Sequence, residues 1–442
     1  MATDVLYEPA EAHEPHGAKT PKKAAVASWI GSALEYYDFF IYGTGAALVF
    51  GKIFFPSDHP ATGVLLALAT FGVGYVARPI GAFFLGHIGD KFGRRTVLIL
   101  TLILMGAATF LVGCLPTYNQ VGIPAPIMLV ILRLAQGFSA SGEQAGANSL
   151  TLEHAPAHRR AFFTSFTLSG TQAGLILATA VFLPISWLPE DQLLSWGWRV
   201  PFWLSVVVVV VGYVIRRTLD ETPAFLEEKE QKQVAKLPVA VLFRDYTPDV
   251  ARVVCGALVS TVSTIFGVYA LSFAVNTMNI DRTMMLWVAI LTNVIALIAI
   301  PLWAILADRI GRRPVFIFGS IVPGLLMFAY LWAIGEADIP LIFLFGVLMS
   351  GVTYSASNGV WPALYGEMFD TRVRLSGMAI GTQIGFALGG FAPAIAAALQ
   401  GTGPTAWVPV AIFTLAACVI AAIAAWTARE TYNVPMHDLG KK

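Results

Sequence analysis

The chain has 442 residues, of which 57% are hydrophobic and only 12% are charged. This composition lies well outside the range of soluble globular proteins and predicts a polytopic membrane protein. The formal net charge is only +1, so the chain has no overall charge that would favour nucleic acid or another polyion as a partner.

The chain begins with a polar tail, residues 1–23, that lacks the apolar segment and cleavage pattern of a secretory signal peptide. The first membrane span is therefore expected to direct insertion itself. After this tail the sequence contains twelve apolar runs of the length that crosses a bilayer, roughly 20 residues. The predicted transmembrane helices are 24–50, 64–88, 96–115, 126–152, 161–188, 198–216, 251–275, 284–307, 314–334, 340–366, 375–399 and 406–427.

The longest polar segment, residues 218–250, separates the sixth predicted span from the seventh. Its mixture of Glu and Lys predicts one or two short helices that lie on the membrane surface and act as a linker. The chain is thereby divided into an N-terminal bundle of six helices at 24–217, a C-terminal bundle of six helices at 251–427 and a C-terminal tail at 428–442.

Lysine and arginine residues are distributed unequally between the two sides of the predicted membrane. Because the number of spans is even, both termini lie on one side, and that side holds 23 of the 28 Lys and Arg residues. Only Lys52, Arg199 and Arg282 lie on the other side. Positive residues concentrate in cytoplasmic loops, so we predict a multi-pass protein of the plasma membrane with both termini in the cytoplasm.

Three short motifs of the N-terminal half return in the C-terminal half in the same order. "GDKFGRR", "EHAPAHRR" and "GTQAG" begin at residues 89, 153 and 170, and "ADRIGRR", "EMFDTRVR" and "GTQIG" follow 218, 214 and 211 residues later. A repeat at a nearly constant offset is not expected by chance. It predicts an all-α fold of two pseudo-symmetric six-helix bundles, related by an axis along the membrane normal, with a substrate site where they meet.

The duplicated sequences "GHIGDKFGRR" and "AILADRIGRR" each follow the second helix of their half, and they resemble the loop signature of the major facilitator superfamily. Asp90 and Asp308 stand where they can accept hydrogen bonds from a helix N-terminus of the other bundle, while the arginines pair with acids at helix ends. We expect a latch that closes the cytoplasmic face; the alternative is that these charges only set the topology. The expected latch residues are Asp90, Arg94, Arg95, Glu153, Arg160, Asp308, Arg312, Arg313, Glu367 and Arg374.

A finer resemblance is carried by the first, second and fourth spans. "GSALEYYDFFIYG", "ARPIG" and "RLAQGFSASGEQAG" together resemble the metabolite:proton symporter family of this superfamily. That family includes carriers for shikimate, 2-oxoglutarate, citrate and proline or betaine, and "EHAPAHRRAFFTSF" is most similar to the shikimate type. The chain departs from the family pattern at Tyr36, where many relatives carry Trp, and at "SGEQAG", which replaces a common double-glycine form. Both departures could alter the specificity.

Five ionisable residues lie inside predicted spans away from the helix ends, and all five belong to the N-terminal half. A charge at the centre of a span costs about 2.5–3.5 kcal/mol on insertion scales, which makes such residues the best functional candidates. They are Glu35, Asp38, Arg78, Arg133 and Glu143.

The depths of these five residues predict how they pair. At about 1.5 Å of rise per residue, Asp38 falls near the bilayer midplane and Arg133 roughly 9 Å above it, within reach of an arginine side chain. We therefore expect Asp38 and Arg133 to form the proton site, with Glu35 as the second candidate for the acid. Arg78 is expected to pair with Glu35 or Glu143. The alternative is that these ion pairs only hold the bundle together.

The fourth span places Arg133, Gln136, Ala140 and Gln144 at i, i+3, i+7 and i+11, which is one face of a helix. This face is expected to line the substrate cavity, with Glu143 at its edge. Polar and aromatic residues of other spans complete the expected site, although any one of them could equally serve in helix packing. The further candidates are Arg78, Tyr42, Gln172, Tyr269, Tyr354, Asn358, Trp361 and Gln383.

The residues and the resemblance together indicate a proton-coupled symporter of a small organic acid or zwitterion, working by alternating access, with the single chain as the functional unit. An uncoupled facilitator and an efflux antiporter are alternatives within transport. A membrane sensor would need a signalling domain or a long tail, and an enzyme would need a nucleophile or a metal site.

The cysteines, Cys114, Cys255 and Cys418, are far apart and have no metal-ligand spacing. We expect no cofactor and no metal.

Overall fold

The computed structural model describes residues 21–57, 59–92, 94–141, 143–217, 238–435 and 438–440. Every regular element within these ranges is helical. The predicted N-terminal tail and the first part of the predicted linker lie largely outside the described residues, and one helix of the linker, Pro238–Asp245, lies within them.

The first half contains six helical segments that coincide with the first six predicted spans. Two of them are interrupted: the fourth breaks after Ser139, at Ala140 and Ser141, and the sixth breaks at Leu204. The segments are α1 (Pro21–Gly45, continued by π-helical turns at Ala46–Phe50), α2 (Pro60–Phe92), α3 (Arg94–Cys114), α4 (Pro124–Ser139 and Glu143–His154), α5 (Arg160–Ser186) and α6 (Val200–Trp203 and Ser205–Arg217).

The second half repeats this arrangement with six further segments. Two of them contain π-helical turns, which widen the helix locally and are frequent at functional sites. The segments are α7 (Thr247–Ala257, Leu258–Ser260, Thr261–Thr264, Ile265–Tyr269, Ala270–Ser272 and Phe273–Thr277), α8 (Arg282–Ile310), α9 (Arg312–Gly335), α10 (Ile339–Gly346, Val347–Thr353 and Tyr354–Gly366), α11 (Thr371–Gly390 and Ala392–Leu399) and α12 (Val408–Thr427).

The lengths and surfaces of these helices fit a lipid environment. Within the described residues, nine helical stretches are long and apolar enough to cross a bilayer, and two apolar helices, Ile99–Cys114 and Pro124–Ser139, are shorter. Large apolar side chains on the outer surface, such as Ile298 and Ile423, are more than half exposed. Such side chains are stable against lipid tails, whereas on a soluble protein they would form an unusually large apolar surface.

The repeated "GTQAG" and "GTQIG" motifs make close helix contacts at corresponding places in the two halves. A Cβ atom at Gly174 of α5 would lie 2.5 Å from the carbonyl oxygen of Ala33 in α1. A Cβ atom at Gly385 of α11 would lie 2.6 Å from the carbonyl oxygen of Val254 in α7. Glycine at these positions lets the two helices approach with their backbones in contact, as is typical of membrane helix pairs.

The two halves meet along three main pairs of helices. α5 of the first half packs against α8 and α10, and α2 packs against α11. We call the end of the molecule that carries Pro21, the start of α5, the end of α8 and the residues after α12 the terminal face, and the other end the opposite face. The space between the halves, midway between these faces, holds the candidate site.

Candidate substrate cavity and charged groups

A cavity of about 60 Å³ lies between the two halves. Because about 10–15 Å³ is enough for one water molecule, the cavity is large enough for a small molecule that displaces several waters. The first half lines it with α1, α2, α4 and α5, and the second half with α7, α10 and α11. Five predicted substrate residues are among its lining, namely Gln144, Gln172, Tyr354, Asn358 and Trp361.

The lining is aromatic and uncharged. Among the described residues that line the cavity, seven are aromatic and none is Asp, Glu, Lys, Arg or His. The aromatic residues are Tyr36, Phe40, Tyr75, Tyr354, Trp361, Tyr365 and Phe386. The remaining polar groups are neutral amides and hydroxyls, so binding here relies on ring faces and neutral hydrogen bonds.

Three of the expected substrate residues lie away from this cavity and bond to other protein groups. Tyr42 Oη donates to Thr70 Oγ1 at 2.8 Å, and Tyr269 Oη donates to Gln400 Oε1 at 3.0 Å. Gln383 Nε2 donates to the carbonyl oxygen of Ser141 at 3.3 Å, which ties α11 to the break in α4. In this closed conformation the polar atoms of these side chains serve helix packing and do not line the cavity.

Arg133 is fully buried in the first half and does not reach the cavity. Its guanidinium carbon lies 3.9 Å from the centre of the Phe39 ring and 4.2 Å from that of Tyr42. Its nitrogens donate to the Phe71 carbonyl oxygen and to Gln136 Oε1, both at 3.1 Å. Aromatic faces and neutral acceptors thus hold this cation.

The expected ion pair between Asp38 and Arg133 is not formed, since none of the ion pairs within the described part of the chain includes either residue. One physical reason is Gly74 of α2, where a Cβ atom would lie 2.6 Å from Arg133 Nε. This glycine opens space that draws the guanidinium against α2. Separately, the break in α4 divides the predicted stripe, since Arg133 and Gln136 belong to its first part and Gln144 to its second.

Asp38 lies on another side of α1, where it faces α3 and the end of the first part of α4. Only 1% of the residue is exposed. It borders a second small cavity of about 10 Å³ together with residues that include Thr101, Met105 and Ser139. Its Oδ1 atom is buried and has no hydrogen-bond partner within the described part of the structure. A carboxyl group in such a place is expensive to keep charged.

Glu35 and Arg78 form a buried ion pair, with Glu35 Oε1 and Arg78 Nη2 separated by 3.9 Å. This is one of the two pairings that the sequence predicted for Arg78. The guanidinium carbon of Arg78 also lies 4.6 Å from the ring centres of Phe39 and Tyr75. Because Tyr75 lines the cavity, Arg78 lies one ring away from it. The side chain of Glu143 lies outside the described residues.

At the terminal face, Asp308 of the second half binds the first turn of α5 in the first half. Its Oδ1 and Oδ2 accept from the backbone N–H groups of Ala161 and Phe162 at 3.1 and 2.9 Å. This contact agrees with the expectation that the repeated aspartate caps a helix of the other half. A carboxylate at a helix N-terminus is favoured by the free N–H groups and by the helix dipole. Asp308 also pairs with Arg312 at 3.0 Å.

Glu367 completes the closure of the terminal face. It is fully buried between Arg160 of the first half, at 3.1 Å, and Arg312 of the second half, at 3.2 Å. The remaining expected latch residues have other roles or are not described: Arg313 and Arg374 donate to backbone carbonyls of their own half. The side chains of Asp90, Arg94, Arg95 and Glu153 lie outside the described residues.

The residues after α12 are part of this latch, which the sequence did not reveal. Glu430 accepts from the backbone N–H groups of Arg312 and Arg313 at 2.8 and 2.9 Å and so caps α9. Thr431 Oγ1 donates to Glu367, and Arg160 donates to the carbonyl oxygen of Val434 at 2.8 Å. An acidic residue directly after the last span is the only sequence signal that points to these contacts.

At the opposite face, Arg282 at the start of α8 closes the second end of α5. Its Nε donates to the carbonyl oxygen of Ser186 at 2.9 Å, and its Nη2 donates to that of Leu188. The hydroxyls of Ser186 and Thr283 are 2.9 Å apart, and Asn276 Nδ2 donates to the carbonyl oxygen of Ala47 at 2.9 Å. The sequence had assigned Arg282 only to topology. The two halves are thus bonded to each other at both faces, and the cavity is occluded.

Comparison with known proteins agrees with this architecture. Residues 23–251 match the family model described as "Sugar (and other) transporter", and residues 252–439 match the model described as "Major Facilitator Superfamily". The shikimate transporter of Escherichia coli (strain K12) is 37% identical over 418 residues, which cover 93% of this chain and 95% of that protein. The proline/betaine transporter of the same organism is 34% identical over 429 residues, covering 94% and 85%. The crystal structure of a D-xylose-proton symporter has a TM-score of 0.72 at 17% identity and covers 94% of this chain and 99% of that one, which indicates a common fold.

Proposed function

This chain belongs to the major facilitator superfamily and is a membrane transporter, and we propose that it takes up a small organic acid or a zwitterion together with a proton by alternating access. The observation that carries the proposal is Asp38, a carboxyl group buried in the first half without a counter-ion among the described residues. A residue that served only to hold helices together could be Ser, Asn or Gln at lower cost. The presence of a carboxyl group therefore indicates that its proton is used.

Asp38 is the proposed proton carrier. Protonation removes an uncompensated charge from an apolar site and gives the carboxyl group a donor of its own. Arg133 contacts Phe39 and Tyr42, which follow Asp38 on α1. We propose that a rotation of α1 brings the acid and the guanidinium together, which stabilises the charged carboxylate after the proton has left. We assign the occluded conformation to the protonated form.

The two sets of contacts between the halves supply the gates of the cycle. Opening the terminal face requires the release of Asp308 from α5 and of Glu367 from Arg160, whereas opening the opposite face requires the release of Arg282. We propose that the terminal face is the cytoplasmic one, because the segments on that side hold 23 of the 28 Lys and Arg residues. With this orientation in a plasma membrane, an inward-directed proton contributes about 2.3 kcal/mol per 100 mV to substrate accumulation. Both halves of the site come from one chain, so a monomer suffices.

Uptake into proteoliposomes tests the proposal. Labelled shikimate, 2-oxoglutarate, citrate, proline and betaine are supplied with and without an imposed pH gradient. We expect one of these compounds to accumulate only with the gradient. If uptake is the same with and without the pH gradient, the protein is an uncoupled facilitator instead.

The proton carrier is tested with Asp38→Asn, which keeps the shape of the side chain and removes its titration. We expect this variant to retain substrate counterflow and to lose accumulation against a gradient, because exchange needs no net proton movement. Glu35→Gln is the matched comparison on the same helix. If Asp38→Asn accumulates substrate normally and Glu35→Gln does not, the proton site is at Glu35.

A further inference from the structure

Two buried hydrogen-bonding atoms at the cavity between the halves have no partner in the protein. Gln144 is 3% exposed, and its Nε2 has no hydrogen-bond partner within the described structure. Tyr365 is 1% exposed, and its Oη is likewise without a partner there. Both residues line the cavity, Gln144 from the first half and Tyr365 from the second. The sequence predicts Gln144, but not Tyr365, as a residue of the substrate cavity.

An unpaired polar atom in a buried site costs about 1–3 kcal/mol, and proteins leave few of them without a functional reason. The Gln144 amide is also fixed in orientation, because its Oε1 accepts from Tyr36 Oη at 3.2 Å. The Nε2 donor is therefore held ready for an acceptor that the protein does not supply. A donor from each half at one cavity can bind the same group of a ligand, and this group would join the halves when they close.

The remainder of the lining determines what the rest of the ligand carries. The rings of Trp361 and Tyr365 are 5.4 Å apart, and those of Trp361 and Phe386 are 5.7 Å apart and nearly perpendicular. Such groups of rings attract alkylated ammonium ions through cation–π interactions. None of the described residues at the cavity carries a charge that would balance a net anion. A ligand that balances its own charge fits this lining better than an anion does.

We infer that the substrate is a small zwitterion whose carboxylate is bound by Gln144 Nε2 and Tyr365 Oη and whose alkylated ammonium group is held by the aromatic rings around Trp361. This inference rests on the proposed transport function and names its substrate class. Tyr365 and Gln144 then select ligands that have a carboxylate, and the uncharged aromatic lining selects ligands that have a cationic group.

Equilibrium binding to the full-length protein in detergent tests the inference. The probes are labelled glycine betaine and, as competitors, 3,3-dimethylbutanoate and shikimate. 3,3-Dimethylbutanoate has the shape of glycine betaine with carbon in place of the charged nitrogen. We expect it to bind at least about tenfold more weakly, because it lacks the cation and brings a net charge into an uncharged site. Equal or tighter binding of either anion, or no binding of glycine betaine, overturns the inference.

Two variants test the carboxylate site. Tyr365→Phe removes one hydroxyl, and Gln144→Leu removes the amide at nearly constant volume; each is expected to weaken glycine betaine binding about tenfold through the loss of one hydrogen bond to a charged group. Tyr330→Phe is the matched control, since Tyr330 is a buried tyrosine of the second half that does not line the cavity. Wild-type affinity in both site variants overturns the assignment. Because no gradient is present, a failure of proton coupling leaves these results unaffected.

Discussion

Replacing Asp308 with Asn should shift the transporter towards the conformation that is open at the terminal face. The carboxylate accepts two hydrogen bonds from the first turn of α5, at Ala161 and Phe162. Asparagine retains one acceptor oxygen, but its amide group meets the second N–H with another donor. The variant therefore loses one charge-assisted bond and the favourable interaction of the charge with the helix dipole.

The size of the shift follows from which contacts join the halves. A hydrogen bond to a charged group contributes about 1.5–3 kcal/mol, and the helix dipole about 0.3–1 kcal/mol. The ion pair of Asp308 with Arg312 lies within the second half, so it exists in both conformations and largely cancels. A net loss of about 2 kcal/mol changes the ratio of open to closed molecules by about 30-fold.

Accessibility of a single cysteine in the cavity measures this ratio. Ser263 lines the cavity, so Ser263→Cys in a background without the three native cysteines reports access from each side. Membrane vesicles of both orientations are labelled with an impermeant maleimide. The rate from the terminal face should rise by up to about 30-fold in Asp308→Asn, as the open population grows.

A matched control distinguishes the latch from a general loss of stability. Asp338 also caps a helix N-terminus, since its side chain accepts from the backbone N–H of Leu341 at 3.1 Å, but both residues belong to the second half. Asp338→Asn should lower thermal stability without changing the labelling rates. If Asp308→Asn leaves the rates unchanged, or if both variants change them equally, the reasoning about the latch is refuted.

Two further predictions concern the opposite face and the helix packing. Arg282→Gln removes the cation that binds the end of α5 and should increase labelling of the same cavity cysteine from the opposite face only; an increase at both faces would contradict a separate gate. Gly137→Ala should abolish stable folding, because its Cβ would lie 1.7 Å from the Gly74 carbonyl oxygen, whereas Gly267→Ala, with its nearest atom at 3.8 Å, should be tolerated. Thermal unfolding in detergent compares the two alanine variants, and equal stability would contradict the packing argument.

The parts of this molecule that the sequence predicted are those that depend on local composition or on internal repetition. Apolar length sets the spans, and polar or aromatic residues in apolar helices identified Gln144, Gln172 and Trp361 as cavity residues. The capping role of Asp308 followed from a motif that recurs at the same place in each half. These signals depend on residue type and spacing, so they can be recognised without knowledge of the tertiary structure.

The parts that the sequence did not predict depend on where side chains turn. The expectation that Arg133 and Gln144 share one face treated α4 as a straight helix, and the break after Ser139 separates them. The direction of Arg133 depends on the space beside Gly74 in another helix. The contacts of the residues after α12 arise only when segments that are distant in the sequence meet, and no periodic pattern predicts them.

The pairing of α5 with α8 explains how one helix pair can close both faces. The two helices are antiparallel and belong to different halves, so the end of α8 meets the start of α5 and the start of α8 meets the end of α5. Asp308 brings a negative charge to the positive N-terminal end of α5, and Arg282 brings a positive charge to its negative C-terminal end. Each charge favours closure of its own face. Because tilting of one half about the centre of this pair lengthens the contacts at one end while the other end remains closed, the same geometry that occludes the cavity also favours opening of one face at a time.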